Sequence, residues 1–94
     1  MALKKNNFGV LQYPDDDARR LFVLLGAIDL LERATLSAIS DMTGIAVESI
    51  DDDIDILCQQ FGVKVHKLGN VYRIDSWGDI LQRDGVIRRM REET

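Results

Sequence analysis

The chain has 94 residues, of which 46% are hydrophobic and 30% charged, with a formal net charge of −4 and a single cysteine. Enough apolar surface is present to offset the entropy of ordering, so disorder is confined to the ends, and the length allows one domain with one modest core but not two. No apolar run approaches the roughly 20 residues that cross a bilayer, and the charged start, Met1 to Asn7, has no apolar stretch behind it, so the expected location is the cytoplasm.

Residues 1–14 read as an extended segment built on Phe8, Val10 and Leu11 and ended by Pro14, which lacks the N–H that a ladder needs. Asp15, Asp16 and Asp17 read as the start of a first helix over 15–33, because carboxylates accept from free first-turn N–H groups and suit the positive end of the helix dipole. A metal site is the alternative for these three acids. From Ala18 to Glu32 the residues Leu21, Val23, Leu24, Leu25, Ile28, Leu30 and Leu31 make the helix apolar around much of its circumference, so it forms the back of the core or a dimer seam. Gly26 within it costs about 1 kcal/mol relative to Ala and marks either a close crossing or simple tolerance.

A helix-turn-helix is expected over 35–61. Thr35 opens a short periodic run of Leu36, Ile39 and Met42 that Gly44 ends; Val47, Ile50, Ile54 and Leu57 then form the inward stripe of a second helix that Gly62 stops. Cys58, which has no second cysteine to pair with, reads as a small buried residue on this helix, with a reactive or intermolecular thiol as the alternative. A hairpin follows over 63–75: Val63 to Lys67 and Val71 to Ile74 alternate and are joined at Leu68-Gly69-Asn70. The last helix is expected over 76–91, capped by Ser76 or Asp75 and carrying Ile80, Leu81, Val86, Ile87 and Met90, with an interruption at Asp84-Gly85. Arg83, Arg88, Arg89 and Arg91 make this end basic, partly cancelled by Glu92 and Glu93. The fold class is mainly α with a small β-hairpin.

From Thr35 to Ile74 the order helix, turn, helix, hairpin resembles the winged helix-turn-helix domains of bacterial transcription regulators, particularly the biotin-repressor-like and DeoR-like types. The resemblance covers nearly half the chain and implies a winged fold, double-stranded DNA as partner, and a homodimer matched to a two-fold operator. Ser49-Ile50-Asp51-Asp52-Asp53-Ile54-Asp55-Ile56-Leu57 keeps the family's framework, but an aspartate, Asp51 or Asp52, stands at its basic base-reading position.

Charge divides the domain. The second helix carries Glu48, Asp51, Asp52, Asp53 and Asp55, and no Lys or Arg lies between Arg33 and Lys64; Lys64, His66, Lys67 and Arg73 then follow on the hairpin with no acid among them. Helical spacing puts Glu48, Asp51, Asp52 and Asp55 on or beside the outward face and Asp53 nearer the flank, while strand alternation sends Lys64, His66 and Arg73 away from the core with Lys67 near the tip. Solvated polar faces are the plain explanation of both. Two functional readings go further. In the first, Lys64, His66, Lys67 and Arg73 contact the DNA backbone and Ser49 reaches base edges; in the second, Glu48, Asp51, Asp52 and Asp55 meet a basic protein surface or mimic DNA. The complete helix-turn-helix and hairpin place DNA binding first. Carboxylates in a major groove face a strongly negative potential, which favours the second. No phosphate-cradling glycine loop, nucleophile–base pair or metal-ligand spacing is present, so neither an enzyme nor a metal or other cofactor is expected.

Overall fold

A computed structural model describes residues 4–14 and 17–91, the side chain of Arg91 excepted. Four helices, α1 (Arg19–Leu30), α2 (Leu36–Thr43), α3 (Val47–Phe61) and α4 (Arg83–Arg91), are joined by a two-stranded antiparallel hairpin of β1 (Lys64–Leu68) and β2 (Val71–Ser76) that packs at one edge on α1 and α3. The chain is mainly α with a small β-hairpin. No helix among the described residues is long and apolar enough to cross a membrane.

Helix α1 begins at Arg19, later than the expected residue 15, and ends at Leu30. Asp17 sits just before it and accepts from the Arg19 N–H at 2.9 Å, while its carboxylate pairs with the Arg19 guanidinium at 2.6 Å. This pair and the backbone bond hold the Asp17 carboxyl down at about 2. Asp15 and Asp16 lie outside the described residues.

The apolar girdle of α1 is covered within the chain on two sides. On one, Leu21, Leu24, Leu25 and Ile28 pack with Ala34, Ile39, Ile50, Ile54, Leu57, Val63 and Tyr72. On the other, Val23 and Ala27 pack with Val10, Met42 and Met90, so the surface that suggested a dimer seam is occupied by α4 and the N-terminal segment. Gly26 belongs to a close crossing: a Cβ there would overlap Met90 Sδ.

The partner of the N-terminal segment, unreadable from sequence, is this second cluster. Residues 5–11 fold back through a bridge between Lys5 and Leu11, and Leu11 donates to the Met90 carbonyl at 2.8 Å. Asn6 Nδ2 and Gln12 Nε2 reach the Met42 and Thr43 carbonyls at 2.6 and 3.1 Å, satisfying acceptors that the end of α2 leaves free. Helix α2 is capped at its start by the Thr35 hydroxyl, which accepts from Ala38 N–H, and closed by Gly44 in the left-handed region; Gly62 closes α3 in the same way.

The hairpin pairs Val65 with Ile74, His66 with Arg73 and Lys67 with Tyr72, with an irregularity between Lys64 and Val65. Tyr72 N–H also donates to the Ala34 carbonyl at 2.9 Å, tying β2 to the segment between α1 and α2.

Two expectations about the last helix change. Helix α4 starts at Arg83 rather than residue 76, and Gly85 lies within it without interrupting it. Ser76 caps no helix; its Oγ accepts from Gly78 N–H at 3.1 Å in a turn. Gly78 takes φ 73°, and a Cβ there would meet the Gly62 backbone, so the chain stacks tightly on the end of α3 before it can turn helical. Val47, expected on the inward stripe of α3, is instead 43% exposed, because Ile45, just ahead of the helix, packs on the core. Cys58 is half-buried beside that core rather than enclosed in it.

Candidate functional site

The charged surface centres on α3 and the hairpin beside it. Ile50, Ile54 and Leu57 anchor α3 in the core, and the helical repeat therefore turns Glu48, Asp51, Asp52 and Asp55 outward, where all four are exposed. Val47 stands one turn before Asp51 at the same margin. Among the described residues no cation pairs with Glu48, Asp52 or Asp55.

The two remaining polar residues of the first turns face elsewhere. Asp53 is 3% exposed and forms an ion pair with Arg20 of α1. Ser49, one turn earlier on that flank, is half-buried and lines a small cavity of 140 Å³ with Arg20, Gln12 and Thr43. The residue assigned to base edges thus points toward α1 and the N-terminal segment, away from the outward face. That face carries carboxylates alone at the positions a groove reader would use.

Asp51 has a second role. Tyr72, 5% exposed beneath the hairpin, donates its hydroxyl to Asp51, linking β2 to α3 across 21 residues of sequence. Burial first, and then the hydrogen bond to Asp51 and its charge, push the Tyr72 hydroxyl from 10.0 up to about 12. Its ring also carries Lys67, whose Nζ lies 5.2 Å from the ring centroid, a cation–π arrangement. Lys67 consequently lies on the α3 side of the hairpin, where it lines an open groove of 380 Å³ with Asp51, Asp55, Ile54 and His66. The basic and acidic elements both border this groove, but no ion pair joins them across it among the described residues.

On the outer side, Lys64 and Arg73 are exposed. His66, opposite Arg73, places Nδ1 2.7 Å from Asp75 Oδ1, so an acid from β2 is inserted into the basic ribbon. The structure therefore separates the four hairpin candidates: Lys64 and Arg73 face outward, His66 is paired with Asp75, and Lys67 sits over Tyr72.

Sequence reasoning missed Arg20, Tyr72 and Asp75 as the partners of Asp53, Asp51 and His66. The first two pairs join residues 33 and 21 positions apart, and nothing local signals them. Asp75 was accessible, since strand alternation places it outward with Arg73. Among the described residues no group of three or more His, Cys, Asp or Glu side chains is placed to hold a metal ion.

No protein-family model matches the chain, and neither a curated protein nor a solved structure matches it.

Proposed function

We propose that the chain is a winged helix-turn-helix module that acts by protein contact, presenting the outward face of α3 to a basic surface of a partner. The observation that carries this reading is the composition of that face: Glu48, Asp51, Asp52 and Asp55 exposed together, with Ser49 turned away and no cation pairing with Glu48, Asp52 or Asp55 among the described residues. Four carboxylates in a major groove would sit beside phosphates with no counterions to release, whereas against Lys and Arg side chains they steer association and set register. The exposed Val47 at the margin adds an apolar contact that a phosphate backbone does not reward.

The test is capture of partners from lysate by the wild-type chain and by Asp51→Asn/Asp52→Asn/Asp55→Asn. The expected result is a partner that the wild type holds at low salt, that added salt releases, and that the triple variant loses, chiefly through slower association. A captured set indifferent to all three substitutions refutes the reading.

A second reading, contact with double-stranded DNA led by the hairpin, is favoured by the exposed Lys64 and Arg73 on its outer side. Under it, Lys64→Ala with Arg73→Ala weakens binding to every sequence and lowers the salt slope by about one unit per lost phosphate contact.

A further inference from the structure

Beyond the outward face of α3, an exposed apolar groove lies between α1 and α4. Phe22 of α1, Ile80, Leu81 and Val86 line an open groove of 260 Å³ with Arg88 and Arg89 at its edge. Ile80 is 63% exposed there, one of the large hydrophobic side chains, with Phe8, Val47 and Leu68, that the described residues leave open to solvent. The groove is smaller than the roughly 300 Å³ at which small-molecule pockets begin, and it suits a side chain or two from a protein surface.

The chain itself carries the complement. The groove is apolar with arginine at its edge; the outward face of α3 carries Glu48, Asp51, Asp52 and Asp55 with the exposed Val47 at its margin. Phe22 of the groove touches Phe61 at the end of α3, whereas Val47 opens that helix about 21 Å away along its axis, so Val47 does not reach the groove within one molecule. We infer that the groove between α1 and α4 receives the acidic face of α3 from a second copy of this chain, Val47 entering the apolar floor and Arg88 facing the carboxylates. The contact is heterologous: each copy offers α3 to one neighbour and its groove to another, which gives open chains or rings rather than a closed two-fold pair. It rests on the reading of α3 as a protein-docking face and names one occupant for it. In such a chain the α3 carboxylates are matched by the neighbour's arginine, and the outer side of each hairpin stays exposed.

The experiment is sedimentation of the full chain from micromolar to hundred-micromolar concentration, at low salt and at about 1 M salt, where screening is complete within about 3 Å. The comparison uses a face variant, Glu48→Gln/Asp52→Asn/Asp55→Asn, and a groove variant, Ile80→Asp/Arg88→Glu. All five side chains are exposed, and circular dichroism checks that both variants fold. The wild-type mass is expected to rise with concentration at low salt and to fall back to the monomer at high salt. Each variant alone stays monomeric. An equimolar mixture gives a dimer that grows no further, because only one intact face and one intact groove remain to meet. A wild type that stays monomeric at low salt overturns the inference, while the α3 reading still stands or falls on partner capture. Variants that associate like the wild type, or a mixture that stays monomeric, also overturn it.

Discussion

Replacing Tyr72 by Phe removes one hydroxyl from the junction between α3 and the hairpin and leaves the ring that fills the core. At neutral pH the hydroxyl donates to the Asp51 carboxylate. Hydrogen bonds to charged groups contribute about 1.5–3 kcal/mol, but Asp51 is exposed and water competes for it, so the expected loss is about 1 kcal/mol. For a domain of this size that lowers Tm by about 4–8 °C. Alkaline pH supplies the stronger test. The folded chain holds the Tyr72 proton to about 12, against 10.0 for an unperturbed tyrosine, so between those values the unfolded state gives up a proton that the native state keeps. Stability from this group is therefore complete below pH 10 and lost as pH rises through 12, and two units at about 1.4 kcal/mol each bound the loss at about 3 kcal/mol. Tyr72→Phe lacks this loss. Urea unfolding of both proteins between pH 7 and 12 should show the wild type more stable at neutral pH and the order reversed at the alkaline end, with the other tyrosine cancelling in the difference. Equal stability at pH 7 together with parallel alkaline curves would refute the assigned bond.

Three further outcomes follow from the packing and the ion pairs. Asp53→Ala leaves Arg20 without the carboxylate that is 3% exposed, and chemical denaturation should show a loss of about 3 kcal/mol; a change under 1 kcal/mol would mean that the pair is not closed in solution. Gly26→Ala gains about 1 kcal/mol of helix propensity but forces Met90, which is buried, out of its place, so the net effect should be destabilising; a more stable variant would contradict the close crossing of α1 and α4. Arg19→Ala should move the Asp17 carboxyl up from about 2 toward 3.8 in a carbon-detected NMR titration, and an unmoved midpoint would remove Arg19 as the cause.

The elements that local signals govern were legible in the sequence. Thr35 and Gly44 bound α2 through a hydroxyl cap and a left-handed glycine, and Leu68-Gly69-Asn70 marks the hairpin turn, because each of these acts within a few residues. The start of α4 was not, since what delays it is the contact of Gly78 with the Gly62 backbone, a tertiary approach that spacing does not encode. Val47 shows the same limit: periodicity assigns it inward, but Ile45 already occupies the core at the beginning of α3. The acidic character of the outward face followed from helical geometry alone. Spacing also set Asp53 toward the flank; its burial against Arg20, and the turning of Ser49 toward the same residue, depend on α1 and were not legible.

Fluorescence anisotropy with a labelled mixed-sequence duplex at low ionic strength asks whether α3 is a DNA-reading helix at all. If it is not, the wild-type chain shows no binding, and only weak, salt-sensitive, sequence-independent binding emerges once Asp51, Asp52 and Asp55 are all changed to Asn, because phosphates and the outer hairpin cations then meet without opposing carboxylates. Wild-type binding that weakens steeply with salt, discriminates between sequences and is reduced by the triple substitution would contradict the protein-docking role of this face.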